Sequence, residues 1–185
     1  MEALDALLNR VSVARLVDPA PTQVQREMLF DAALRAPDHG QLRPWRFLTI
    51  EGAAREQLGE VLAQAVQANG DANEAALLKA RGMPMRAPLL IVVIACLVEH
   101  GKVPANEQLL AAGCAAHGIL LAAYAQGIGA VWRTGELSYS PVLADRLGLQ
   151  DNEQVIGFLY LGTPQKPPRE APKLEPADYV SVWSA

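Results

Sequence analysis

A chain of 185 residues with 51% hydrophobic and 19% charged side chains has enough apolar surface for one sizeable core, and residues 1–185 read as a single globular domain. Its 20 acidic residues against 16 basic ones leave a net charge of −4, which excludes the broad basic face that nucleic acid requires. Cys96 and Cys114 belong to no CxxC pair and read as buried reduced thiols; the Met1–Asp5 opening lacks a basic n-region, so the expected compartment is the cytoplasm.

Leu4, Leu7 and Leu8 give a short first helix one apolar stripe, and the polar, cationic segment Asn9-Arg10-Val11-Ser12 follows it. Pro19 and Pro21 break the chain. Thr22 with Gln25 then forms a T-x-x-Q capping box for a helix whose buried side is expected to carry Val24, Met28, Leu29 and Ala32. Beyond Arg35-Ala36-Pro37, the run Asp38-His39-Gly40-Gln41 is a turn, and Pro44 opens a strand from Trp45 to Ile50. Residues 53–69 and 71–81 read as two surface helices separated at Gly70, with Asp71 as the N-cap of the second. Leu89 to Ala95 is a β-branched run without alternation, as in a central strand covered on both faces.

From Leu109 to Ala125 the sequence is apolar except for His117 and the Tyr124 hydroxyl, so this helix is expected to be covered on every side. Its many small residues, among them Ala112, Gly113, Ala116 and Gly118, suit close approach of a neighbouring helix or subunit. The run lies at the short end of what a membrane span needs and has few flanking Lys or Arg, so a membrane span is set aside. Gly127 ends the helix, and Gly129 to Trp132 is a short strand that delivers Arg133-Thr134-Gly135 to a turn. Ser140 as N-cap, Pro141 at N1 and Gly148 at C′ frame a small helix, and Val155 to Leu161 is another buried strand. The proline-, lysine- and arginine-rich stretch to Pro176 is an extended arm, with Tyr179 to Trp183 expected as a last strand. Four or five strands interleaved with about six helices make an α+β or α/β layer protein.

Four pairs stand at element boundaries: Arg10 with Ser12, Arg35 with His39, Arg133 with Thr134, and Lys166 with Arg169. Arginines beside hydroxyls and free backbone N–H groups suit a phosphate, because the guanidinium fork matches its oxygens. Taken singly, each reads first as a solvated helix-end charge or ion-pair partner, and only convergence would change that. No G-x-S-x-G frame and no cysteine in a polar setting supports a hydrolase nucleophile. The histidines are dispersed, which leaves a metal without a ligand cluster. Gly127-Ile128-Gly129 follows a helix and precedes a strand, the reverse of the order a dinucleotide fingerprint needs.

Taken together, Asn9-Arg-Val-Ser12 with Arg15, Arg35-Ala-Pro-Asp-His39, Pro44-Trp-Arg-Phe47, Gly127-Ile-Gly-Ala-Val-Trp-Arg-Thr-Gly135 and Gly157-Phe-Leu-Tyr-Leu-Gly-Thr-Pro164 resemble the nitroreductase family of FMN-dependent oxidoreductases, in its compact subgroup. The resemblance implies an α+β, three-layer fold with a central mixed sheet of four to five strands between helices. It also implies a homodimer with FMN at the subunit interface, and hydride transfer from NAD(P)H through FMN to a small acceptor such as a nitroaromatic or quinone. By position, Arg10-Val11-Ser12 and Trp132, Arg133 and Thr134 would hold FMN from one subunit, and Arg35 and His39 would reach it from the other. Ala122, Ala123, Tyr124, Ala125, Gln126 and Gly127 would border the approach of the nicotinamide nucleotide. The family usually carries a second arginine where this chain has Val11, which leaves Arg15, Lys166 or Arg169 to replace that charge. No protein side chain is assigned a catalytic role, because the flavin supplies the redox chemistry. The alternative is a non-catalytic flavin- or nucleotide-binding protein on the same scaffold.

Overall fold

The computed structural model describes residues 1–70 and 72–184. In chain order it holds α1 (Ala3–Asn9), β1 (Leu16–Val17), α2 (Gln23–Ala33), β2 (Trp45–Glu51), α3 (Ala54–Ala68), α4 (Glu74–Gly82), β3 (Leu89–Cys96), α5 (Ala105–Ala125), β4 (Gly129–Arg133), α6 (Pro141–Arg146) and β5 (Glu153–Pro164). Short 3₁₀ turns occupy His39–Gln41, Pro84–Arg86, Glu136–Tyr139 and Pro176–Asp178.

The β-branched run of β3 lies between β2 and β5, as its lack of alternation requires, and its residues from Leu89 to Ala95 are all buried. β4 pairs with the other side of β5, so β2 and β4 are the two edges of the four long strands. The sheet was expected to be mixed. Every strand pair is instead antiparallel, and antiparallel neighbours can be linked without a crossover helix between each pair.

Alternation along β3 divides the core. Leu90, Val92 and Ile94 face α3, α4 and α6 through Leu58, Leu62, Ala63, Ala80 and Leu143. Leu89, Ile91 and Val93 face α2 and α5 through Leu29, Ala33, Ala115, Ala116 and Ile119. The result is three layers, with helices on both faces of the sheet. Ile156 is an extra residue in β5: Val93 pairs with Gly157 and Ile94 with Val155, leaving Ile156 unmatched in a β-bulge.

The expected helix spine is α5. A Cβ at Gly118 would come within 2.9 Å of the Ala32 carbonyl oxygen, so α5 and α2 touch backbone to backbone there. The chain covers only one side of α5, however. Leu110 is 68% exposed and Cys114 and His117 are also exposed, so one chain does not by itself supply the all-round cover expected of α5, and Cys114 is not the buried thiol expected. One sheet offers the helix one apolar surface, and none of the described residues covers the opposite stripe. By length and composition α5 could also cross a membrane, but here its buried residues pack on the sheet and on α2.

Further local expectations change. The capping box at Thr22 forms, with the Gln25 N–H donating to Thr22 Oγ1 and the Thr22 N–H to Gln25 Oε1. The close approach at Gly118 then sets the phase of α2, so Leu29 and Ala33 are buried while Val24 and Met28 stay exposed. Asn73 caps α4 by accepting the Ala76 N–H at 2.8 Å, and Asp71, the expected cap, lies outside the described residues. Ser140 stands at the N-cap of α6, yet its Oγ is buried without a partner. Leu4, Leu7 and Leu8 point away from the core, and Tyr179, Val180, Val182 and Trp183 are exposed without forming the expected strand.

Candidate functional site

The last residue of β4 is Arg133, and strand alternation puts it with Val131 on the α3 side of the sheet. It lies directly across from Phe158 on β5 and diagonally from Tyr160, within reach on the same face. The Arg133 Cζ stands 5.6 Å from the centre of the Tyr160 ring, a cation–π distance. Its Nε is buried and has no hydrogen-bond partner. A buried donor left unmatched costs about 1–3 kcal/mol, so such atoms need a reason.

Arg133 borders a cleft of about 600 Å³ beneath the Glu136–Tyr139 turn, within the usual range of small-molecule sites. Leu62, Met83, Phe158 and Tyr160 make its apolar wall, and Lys79, Arg86 and Glu136 add charge. An adjoining recess of about 420 Å³ shares Arg86 and Arg133 and adds Arg15 and Gln165. Among the described residues no carboxylate lies within salt-bridge distance of Arg15, Lys79, Arg86 or Arg133. Four cations against one carboxylate, in a chain of net charge −4, concentrate positive potential in one concavity. Burial pushes the Tyr160 phenol up, with Arg133 and Arg86 pulling against it.

Trp132 points to the opposite face and packs on the α2–α5 side. Its Nε1–H donates to the Ile156 carbonyl at 3.4 Å, at the bulge in β5. A Cβ at Gly157 would collide with the indole, so this position has to be glycine for Trp132 to sit there. Thr134 follows the strand end and is exposed in the cleft wall.

The other expected residues fall in two further places. Arg10 and Val11 border a hollow of about 180 Å³ at the start of β4, together with Tyr124 and Gly127 from the end of α5. A hydrogen bond from the Val13 N–H to the Ala130 carbonyl at 2.9 Å fastens this segment to β4. Ser12 is exposed, Ala123 is buried, and Gln126 Nε2 donates back to the Ala122 carbonyl. Arg35 belongs to a separate recess with Asp38 and Arg43, and His39 Nδ1 is paired with Glu107 Oε2 at 2.6 Å. That loop is held tightly. Gln41 and Arg43 both take left-handed backbone conformations, and the Arg43 N–H donates to Asp38 Oδ2 at 2.6 Å. Within one chain, therefore, Arg133 converges with Arg15 and Arg86. Arg10 lies at the other end of β4, and Arg35 and His39 lie outside both clefts.

Arg86, Lys79 and Tyr160 were not among the expected site residues. Arg86 follows Pro84 in the turn before β3, the same boundary signal that singled out the other arginines. Tyr160 sits inside an apolar strand and carries no such signal.

The profile of the Nitroreductase family matches residues 7–163. YdjA of Escherichia coli (strain K12), provisionally named an NAD(P)H nitroreductase, is 47% identical over 165 residues, which cover 89% of this chain and 90% of that protein. The crystal structure of a nitroreductase-like family protein from Bacillus cereus superposes with a TM-score of 0.85 at 22% identity, covering 100% of this chain and 97% of the other. A second crystal structure, from Desulfovibrio desulfuricans and provisionally named a nitroreductase, was solved in complex with FMN; it gives a TM-score of 0.75 at 21% identity and covers 100% and 99%.

Proposed function

The chain belongs to the nitroreductase family, and on that premise we propose that it is an FMN-dependent oxidoreductase that carries hydride from NAD(P)H to a small acceptor such as a nitroaromatic or quinone. One observation carries the assignment of the site: the buried, unpartnered Nε of Arg133, in a cleft where Arg15 and Arg86 are also free of carboxylates among the described residues. The residues fit an FMN. Its phosphate needs guanidinium donors, which these arginines offer as charge-assisted hydrogen bonds, and its planar ring system needs the apolar wall of Leu62, Met83 and Phe158.

Bound FMN would supply the hydride chemistry itself. The chain's part is to bind, orient and exclude water. Arg133 and Arg86 fix an anionic ligand at the end of β4, and Arg15 supplies the charge absent at Val11. Thr134 and Gly135 offer polar backbone where the strand opens into the cleft. Arg10 with Ser12 extends the site along β4, and Ala122 to Gly127 borders the approach of the nicotinamide nucleotide. Arg35 and His39 complete it from a second copy of the chain. That arrangement is supported by the uncovered stripe of α5 and by the exposed Leu4, Leu7, Tyr179 and Trp183, since obligate interfaces bury apolar surface of this kind. The acceptor end is the wider cleft, whose Lys79 and Glu136 stand apart from the recess shared with Arg15.

Purified protein is expected to carry a flavin spectrum, and NADH or NADPH is expected to bleach it under anaerobic conditions. A folded protein that neither holds nor takes up added FMN contradicts the proposal, and a yellow protein that neither nucleotide bleaches contradicts the oxidoreductase half of it. Light scattering is expected to show a dimer.

A further inference from the structure

Arginines held in place in this fold are mostly held by carboxylates. Arg26 makes a two-pronged pair with Glu51 at 2.8 and 2.7 Å, Arg46 does the same with Glu153 at 2.6 and 2.7 Å, and Arg81 bonds Glu60. Such a pair fixes the guanidinium and cancels its charge at the same time. Arg133 is anchored differently: what stands against it is the ring of Tyr160, 5.6 Å from Cζ, and no carboxylate is in range among the described residues. An aromatic face attracts a cation through its quadrupole and leaves the net charge intact.

We infer that Tyr160 is a positioning residue for FMN: its ring holds the Arg133 guanidinium at the cleft without neutralising it, so the full charge and the terminal N–H groups stay available to the ligand. This rests on the reading of Arg133 as a flavin contact. The placement follows from register, because Tyr160 pairs with Val131 on β4 and so stands diagonally from Arg133 on one face. The ring itself is clamped, being only 5% exposed and packed in the cluster that contains Leu90, Val92 and Leu62. A clamped ring defines one position for the guanidinium, which lowers the ordering cost when an anion arrives. A phenol kept protonated by burial adds no negative charge to compete with that anion.

The inference concerns the ring and not the hydroxyl, so Tyr160→Phe is expected to bind FMN within about twofold of the parent protein. Placing mono-, di- and trifluorinated phenylalanine at the same position keeps the shape of that variant and drains charge from the ring face. FMN affinity of the apoprotein, measured by quenching of flavin fluorescence, is expected to fall stepwise by about tenfold across the series, in keeping with the weakening of a partly buried cation–π contact. In an Arg133→Ala background the series is expected to be flat. A structural role for the ring would not follow the fluorine count, and circular dichroism checks that each variant is folded. A flat series in the Arg133 protein overturns the inference even when Arg133→Ala itself loses FMN affinity. If Arg133→Ala binds FMN unchanged, the assignment of the site falls as well.

Discussion

Arg46 and Arg133 occupy opposite edges of the four long strands and point to the same face of the sheet, yet their surroundings have little in common. Arg46, on β2, is paired with a carboxylate: Glu153 takes two of its donors, the Gly148 carbonyl lies at 3.4 Å, and Cys96 donates to the same carboxylate at 3.3 Å. Arg133, on β4, is backed by an aromatic ring and left with an unmatched nitrogen. A half-buried ion pair of this kind has its charge already cancelled and holds little for a ligand, and losing the cation strands the more deeply buried carboxylate. A cation that is held without being satisfied has binding capacity left over. One edge of the sheet thus commits its arginine to cohesion, while the other keeps its arginine for a ligand.

Arg46→Ala tests this most severely. It leaves the Glu153 carboxylate, whose side chain is only 9% exposed, without its cation, and is expected to lower unfolding free energy by about 3 kcal/mol in urea titrations. FMN affinity of the folded fraction should not change. Arg133→Ala is the mirror case: about a ten- to hundredfold loss of FMN affinity, from a charge-assisted hydrogen bond worth about 1.5–3 kcal/mol, with the apoprotein destabilised by no more than about 1 kcal/mol, because loss of the cation–π contact is offset by removal of a buried unmatched donor. Arg133→Lys is expected to recover part of that affinity, since an ammonium keeps the charge and lacks the fork. If both variants shift both readouts together, the division between the two edges is wrong.

The pH dependence sharpens the cohesive edge. Hydrogen bonds from Arg46, followed by those from the Gln150 backbone and Cys96, hold the Glu153 carboxyl down to about 2 against an ordinary 4.5. A depressed carboxylate stabilises the fold above its unfolded value and loses that contribution as pH falls from about 4.5 toward 2. Glu153→Gln should therefore flatten the acid limb of a stability profile. Burial first, and Glu153 second, push the Cys96 thiol up to about 11 from 9.0. A raised thiol stabilises below its unfolded value, so this contribution is lost as pH rises from about 9 to 11, and Cys96→Ala should remove that smaller alkaline slope.

How much of this could be read from the residues alone depended on how far each signal reaches. The capping box at Thr22 and the β-branched run of β3 are decided within a few residues, and both form as expected. Arg133 was also within reach, because a short strand running into Thr134-Gly135 must present its last side chain at a boundary. Tyr160 was not, since one aromatic in Phe158-Leu159-Tyr160-Leu161 looks the same whether it faces a helix or an arginine. The buried side of α2 depended on where α5 approaches, at Gly118, far along the chain from Ala32 and Ala33. Asp71 and Asn73 are equally good caps by type, and only the Asn73 bond to the Ala76 N–H chooses between them.

The bulge at Ile156 joins the two edges by parity. Side chains of a strand change face at every residue, so Glu153 and Tyr160, an odd number of positions apart on β5, would point to opposite faces of an unbroken strand. The one unmatched residue reverses the count between Val155 and Gly157. Glu153 then turns toward Arg46, while Phe158 and Tyr160 face the side of Arg133. Ile156 sits in this sheet as an extra letter that the reading frame has already absorbed: deleting it would leave Glu153 and Tyr160 an even number of positions apart, each still facing its arginine, and would cost β5 only the local bend and the carbonyl that accepts from Trp132.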